Sequence, residues 1–283
     1  MHIVTVVTHS ENYFPYLVES CKRNGSDLII LGYGEKWLGF NWKYKKIIEY
    51  LNSLPKNDIV CFVDGYDVIC TRDLNELESE FITLKENTKC KIVVGHDKHF
   101  FLNKMASIYF GKCKKKSLNT GTYIGYAGDM LEIIEKIYNL NPKNDADDQI
   151  LMTKYCNSTN DIYIDDDNKL FLTILYSLYD LDKVVSYQNN KLSYQSNFPF
   201  FIHAPGYGIL DTIIEELGYG KCNIRYKLYK EFFKKKILLY FSEIFPYIFL
   251  IVFVICIMYI CSNKKIFKLI ARKRRQTKFN LSK

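Results

Sequence analysis

Short apolar runs alternate with longer amphipathic ones through the first 140 residues, and few folds accommodate that pattern. Apolar, largely β-branched runs occupy residues 3–8, 27–31, 58–63, 91–95 and 122–126. Helical spacing occupies residues 12–24, 43–54, 74–85 and 129–140, with Gly25 and Pro55 as stop signals. Runs of this length suit strands, and their near-continuous apolarity demands burial on both faces. A mostly parallel sheet with helices on both sides meets that demand, so an α/β fold of Rossmann-like character is expected. Sheets of this kind bind ligands at the carboxyl ends of their strands.

The C-terminal region has a different character. No charged residue occurs from Ile244 to Cys261. Basic clusters flank this run, Lys234-Lys235-Lys236 before it and Arg272-Lys273-Arg274-Arg275 after it. The length just spans a hydrocarbon core. The reading is a folded body over 1–222, a basic connector over 223–236, a single C-terminal transmembrane helix over 237–261 and a basic tail over 262–283. The formal charge is +8, from 39 basic and 31 acidic residues. Nine of the bases follow Asn263, which leaves 30 bases against 31 acids in the rest. Basicity is thus a property of the tail, where it suits anionic lipid headgroups better than nucleic acid. Ile3-Val4-Thr5-Val6-Val7 reads as a first strand and not as a signal peptide. A membrane anchor near the C-terminus with the body in the cytosol is the simplest arrangement. The nine cysteines include no CxxC pair. They read as buried reduced thiols and not as a disulfide framework or zinc site.

The stretch richest in chemistry is Cys61-Phe62-Val63-Asp64-Gly65-Tyr66-Asp67-Val68. An apolar strand ends in two carboxylates that flank Gly65 and Tyr66. Hard divalent cations take oxygen ligands, typically one or two carboxylates together with substrate phosphates. Asp is equally at home in turns and caps, so spacing alone leaves both readings open.

Several separated motifs, in order over residues 1 to 222, resemble the glycosyltransferase domain of the procollagen lysyl hydroxylase/glycosyltransferase family and its viral relatives. Leu31-Gly32-Tyr33-Gly34-Glu35-Lys36-Trp37-Leu38-Gly39 is similar to its glycine-flanked Glu-x-Trp loop. Phe62 to Val68 is similar to its metal motif. Leu118-Asn119-Thr120-Gly121 resembles its Leu-Asn-Ser-Gly acceptor-side loop. Asp145-Ala146-Asp147-Asp148-Gln149 resembles its aspartate run before Gln, Asp165 to Phe171 its next strand and loop, and Phe201-Ile202-His203 its late Ile-His motif.

The resemblance implies a GT-A-type, Mn²⁺-dependent enzyme that moves a hexose, glucose or galactose, from a UDP-sugar to a hydroxyl of a protein or glycan. A collagen-like hydroxylysine is one such acceptor. It implies that Asp64, Asp67 and His203 hold Mn²⁺, that Trp37 and Tyr66 stack on the uracil, that Lys43 contacts the diphosphate, and that Thr8 touches the uridine. Asp147, Asp148 and Asn119 become the catalytic candidates. A carboxylate near the anomeric carbon can assist the attacking hydroxyl or stabilise an oxocarbenium-like centre. Asp also caps helices, so one of the pair can cap while the other faces the sugar. Asn119 is implied to hydrogen-bond a donor-sugar or acceptor hydroxyl.

The chain also departs from the family pattern. Ala204-Pro205-Gly206 stands where the family has Gly-Asn-Gly, Ala146 interrupts the acidic run, and no His-x-Asp iron motif occurs. Two rival readings follow: a membrane-anchored nucleotide-sugar-binding or scaffold protein without turnover, and a nucleotidyltransferase.

Overall fold

The computed structural model describes residues 1–98, 108–174, 185–188, 191–206, 208–224 and 247–259. The chain divides into two compact units, Met1–Tyr229 and Lys230–Lys283.

The first unit is built on a nine-stranded sheet. Its strands are β1 (His2–Val6), β2 (Leu28–Leu31), β3 (Ile59–Val63), β4 (Val68–Cys70), β5 (Ile92–Lys98), β6 (Leu118–Tyr126), β7 (Ile162–Asp165), β8 (Phe171–Ile174) and a last strand, β11 (Phe201–His203). β9 (Ser186–Gln188) and β10 (Lys191–Ser193) form a separate antiparallel pair. The order across the large sheet is β2-β1-β3-β6-β5-β8-β11-β4, with β7 also paired to β5.

Alternation along the strands explains the layers. Val4, Val6, Val60 and Phe62 point to one face. There they pack against α2 (Phe40–Leu51), α4 (Ala127–Leu140) and α5 (Asp148–Cys156). Ile3, Ile59, Cys61 and Val63 point to the other face and meet α1 (Phe14–Arg23) and α3 (Leu77–Thr88). Successive residues of a strand serve opposite faces, so both faces are apolar and both are covered. A third cluster joins Tyr13, Ile69, Leu172 and Ile202 to a short helix, α6 (Asp211–Glu216).

The sheet is mostly parallel, as expected, with β5–β7, β5–β8 and β8–β11 parallel too, and two of its strands depart from that direction. β1 runs parallel to β2 and β3, but β6 runs antiparallel to both β3 and β5, and β4 antiparallel to β11. A strand buried on both faces has the same apolar pattern in either direction, so periodicity does not encode this. The cysteine expectation fails in part. Cys113 and Cys156 form a disulfide across a separation of 43 residues. Asn157, next to Cys156, accepts from the Lys114 N–H and donates to the Lys112 carbonyl. Folding thus brings the two cysteines together without any local spacing. Cys21, Cys61, Cys70, Cys90 and Cys222 are free and buried.

In the second unit, residues 247–259 are helical, apolar and exposed. Among the described residues no helix is long and apolar enough to cross a membrane. The rest of the expected span and the basic tail lie outside the described residues.

Candidate functional site

The carboxyl ends of β3 and β11 supply the centre of the site. β3 delivers Asp64 directly after Val63. Four residues later the chain enters β4, which pairs with β11 in the register Val68↔His203. The Ala204 N–H closes this corner on the Asp67 carbonyl at 2.9 Å. Asp64, Asp67 and His203 therefore converge, and one ligand atom from each lies within 4.8 Å of the others. His203 Nε2 stands 3.2 Å from Asp67 Oδ1 and 3.8 Å from Asp64 Oδ2.

Hydrogen bonding fixes the state of the imidazole. The Gly121 N–H donates to Asn119 Oδ1 at 2.8 Å, which identifies that atom as the amide oxygen. His203 Nδ1 lies 2.9 Å from the same oxygen and must donate to it. In the neutral ring Nε2 then carries a lone pair. Nε2 is buried, makes no hydrogen bond, and faces two carboxylates. A cation would satisfy that arrangement, either a proton on Nε2 paired with Asp67 or a metal ion shared by all three groups. Burial favours the neutral ring, but Asp67 and Asp64 outweigh it and hold the His203 pKa above its ordinary value. Two carboxylates and one imidazole form a donor set suited to a divalent transition ion.

Glycine makes room for this corner. A Cβ on Gly121 would lie 2.1 Å from His203 Cε1 and 2.8 Å from Asp64 Oδ2. A Cβ on Gly65 would lie 2.0 Å from Val7 Cγ1. The glycine between the two aspartates is thus set by close packing on the residue that follows β1, whatever its flexibility.

A second corner lies beside the first. Asp147 is the N-cap of α5 and accepts from the Ile150 N–H at 2.9 Å. Asp148 is buried and pairs with Lys43 at 2.8 Å. The same Lys43 Nζ pairs with Asp64 Oδ1 at 3.0 Å. Burial favours a neutral lysine, but Asp148 and Asp64 outweigh it and push the Lys43 pKa up. Lys43 itself is only 3% exposed. α2 presents it here because the Asn144 carbonyl accepts from the Asn41 and Trp42 N–H groups, which satisfies the start of the helix.

A family model described as the PLOD GT domain matches residues 1–218. The chain belongs to that family. Relatives include a procollagen-lysine,2-oxoglutarate 5-dioxygenase of Drosophila melanogaster, 25% identical over 74% of this chain and 31% of the relative. The uncharacterized protein R699 of Acanthamoeba polyphaga mimivirus is 24% identical over 66% of this chain and 41% of its own length. A human procollagen-lysine,2-oxoglutarate 5-dioxygenase 2 is 24% identical over 69% of this chain and 28% of the relative. The chain spans less than half the length of each of these relatives. Among solved structures, the galactosyltransferase LgtC in complex with donor and acceptor sugar analogs is similar at 11% identity. It matches with a TM-score of 0.43, covering 73% of this chain and 87% of that one. Mouse xyloside xylosyltransferase 1 matches at 7% identity with a TM-score of 0.41, covering 74% of this chain and 98% of that one.

Within this PLOD GT domain the remaining expected site residues fall into two groups. Thr8 and Tyr66 meet at the end of β1. The Tyr66 hydroxyl accepts from the Thr8 N–H at 3.1 Å and donates to the His9 carbonyl at 3.2 Å. The Gly32–Gly34 loop leans on the same point through the Gly34 N–H and the Thr8 carbonyl, 2.9 Å apart. Trp37 is 40% exposed and packs edge-on against Phe40 and Trp42.

Three further residues of the expected set are engaged by protein groups. Lys43 is enclosed between two carboxylates, which already engage its charge. Asn119 spends its oxygen on Gly121 and His203, so it orients the imidazole. Asp147 spends a carboxylate oxygen on its cap. Asp165, in the motif after the aspartate run, accepts from the N–H groups of Lys169, Leu170 and Phe171 and so shapes the turn into β8. Sequence reasoning missed Gly121, Gln149 and Asp97 as contributors. Gly121 and Gln149 lay within quoted motifs, but only β6 running antiparallel beside β3 reveals what they touch. Nothing in the local sequence distinguishes Asp97.

Proposed function

We propose that this chain is a metal-dependent glycosyltransferase that moves a hexose from a UDP-sugar to a hydroxyl of a protein or glycan. The observation that carries the proposal is the buried, hydrogen-bond-free His203 Nε2 facing Asp64 and Asp67. That donor set suits a divalent cation, and membership of the PLOD GT domain family supplies the chemical context. Mn²⁺ is the proposed ion; bound by these three residues, it would neutralise charge on the departing nucleoside diphosphate. Tyr66, Thr8 and the exposed Trp37 are the proposed uridine contacts, since a flat aromatic face suits a base.

Asp148 is the proposed carboxylate for the reacting sugar. Asp147 is engaged as a cap, while Asp148 shares the Lys43 ammonium with Asp64 and so lies beside the metal ligands. The Lys43 ammonium pairs with Asp148 at 2.8 Å, so the carboxylate is held in place beside the site. A GT-A-type architecture accords with the α/β sheet and with the site at its carboxyl edge. The apolar run within 237–261 and the basic tail support a membrane tether to anionic lipids. The Cys113–Cys156 disulfide supports placing the domain on an oxidising side of that membrane and not in the cytosol, because reducing compartments keep thiols free.

The deciding experiment offers the full-length chain a panel of UDP-sugars with Mn²⁺ and measures UDP release. The expected result is release that requires the ion and disappears in Asp67→Ala and His203→Ala. Absence of both UDP release and UDP binding across the panel would remove the enzyme reading in favour of a scaffold. Pyrophosphate release from a nucleoside triphosphate would replace it with a nucleotidyltransferase.

A further inference from the structure

The polar side chains behind His203 form a chain with a single direction. His203 Nδ1 donates to Asn119 Oδ1 at 2.9 Å. Asn119 Nδ2 donates to Gln149 Oε1 at 3.4 Å. Gln149 Nε2 donates to Asp97 Oδ2 at 2.9 Å. All four residues are buried, Asp97 at 1% exposure and His203 at 1%. Neither amide can turn over without loss. A turned Asn119 would set its NH₂ against the Gly121 N–H, and a turned Gln149 would set its oxygen against the Asp97 carboxylate. Every link hands a hydrogen toward Asp97, so the carboxylate at the end selects the orientation of each group before it.

We propose that Asp97, acting through Gln149 and Asn119, is a positioning residue that fixes the His203 tautomer and holds Nε2 toward Asp64 and Asp67. The proposal rests on the metal-site reading above. Metal-ligating histidines usually give their second ring nitrogen to an acceptor that sets tautomer and ring orientation. Here that task is relayed through two amides to a carboxylate on another strand. Among the described residues no cation pairs with Asp97, and burying a carboxylate on amide donors alone is unfavourable. An apolar residue would fill the same space at less cost, so packing alone gives no reason for an acid there.

The test uses the full-length chain with Mn²⁺ as the probe and no nucleotide sugar, following the paramagnetic resonance signal of the free aqueous ion. Asp97→Ala and Gln149→Leu are each expected to weaken Mn²⁺ binding about 10- to 100-fold, the range for residues that orient a ligand. Asp97→Asn keeps an oxygen to accept from Gln149, so it is expected to restore most of the affinity. Nitrogen NMR of labelled histidine supplies the second readout. His203 should be the Nδ1–H tautomer in the wild type and a mixture in Gln149→Leu. Gln149→Leu also decides the matter should Asp97→Ala fail to fold. Wild-type affinity in both variants, or an unchanged tautomer, overturns the proposal. Failure of the metal reading looks different: His203→Ala then binds Mn²⁺ as the wild type does, while the tautomer ratio still reports on Asp97.

Discussion

Two pairs of aspartates stand at element boundaries in this chain, and folding treats them oppositely. Asp64 and Asp67 follow β3 and converge on His203, with no backbone group claiming their side chains in the hydrogen bonds described. Asp147 and Asp148 open α5 and diverge: one caps the helix, the other turns to Lys43. A helix start has unsatisfied N–H groups that compete for a carboxylate. The end of a strand entering a turn has fewer, so among the described residues the backbone takes neither acid there, and Lys43 engages Asp64 besides His203. Whether a carboxylate can do chemistry thus depends first on what the local backbone demands of it.

The largest expected effect breaks the first corner. Asp67→Ala and His203→Ala each remove a ligand outright, so catalytic efficiency should fall by more than the roughly 100-fold that marks the upper range for orienting residues. Gly121→Ala should do the same without touching a ligand, because its Cβ would lie 2.1 Å from His203 Cε1. Mn²⁺-dependent UDP release measures all three. Activity surviving in Gly121→Ala would mean that the backbone beside His203 yields more readily than the packing indicates.

The next effect falls on the link between the corners. Lys43→Met strands the buried Asp148 beside Asp64 with no counter-charge, and breaking a buried pair this way costs about 3–5 kcal/mol. Urea unfolding should show that loss. The double variant Lys43→Met with Asp148→Leu should recover much of it, because the uncompensated charge is gone. Failure to recover would show that Asp64 is the carboxylate that needs the lysine.

A pH effect comes third, on Asp97. Burial pushes its carboxyl up from the ordinary 3.8 to about 6, against the lowering influence of the Gln149 hydrogen bond. The folded state then holds a proton that the unfolded chain releases, so the associated stability is complete below about pH 4 and disappears as pH rises through 6. The magnitude is roughly 2–3 kcal/mol. Metal-free unfolding at pH 4.5 and 7.5 should show the wild type losing stability relative to Asp97→Asn. Parallel pH dependence in the two proteins would count against a perturbed Asp97.

These expectations show where sequence reading succeeds and where it stops. Strands with continuous apolar runs, such as β1 and β3, are legible because burial on both faces demands that composition. The convergence of Asp64, Asp67 and His203 was reachable only through resemblance, since it depends on β4 and β11, strands of three residues each. Strands that short carry too little pattern to be read. The start of α2 was expected at Lys43 but lies at Phe40. Its cap is the Asn144 carbonyl, a hundred residues away in the chain and invisible to local signals. Leu118–Tyr126 is a single strand although its first residues looked like a loop, because Asn119 and Gly121 are poor strand formers tolerated here for the site. The fate of Asp147 and Asp148 was half legible: the pattern showed that one could cap, and only geometry says which.

The smallest effect addresses that last distinction directly. Asp147→Ala removes an N-cap acceptor, which costs about 1 kcal/mol. In a domain of this size that corresponds to roughly 2–4 °C in Tm. Asp147→Ser keeps an oxygen at the cap and should return most of the stability. Asp148→Asn keeps the shape but halves the negative charge around Lys43, and it should lower turnover. The two positions are adjacent, so a common structural disturbance would strike both properties in both variants. Separation of the effects, with stability following Asp147 and turnover following Asp148, is what the divergence of the pair requires. An Asp147→Ser variant that folds normally yet loses turnover would return Asp147 to the chemistry and show that its cap and its reactivity coexist.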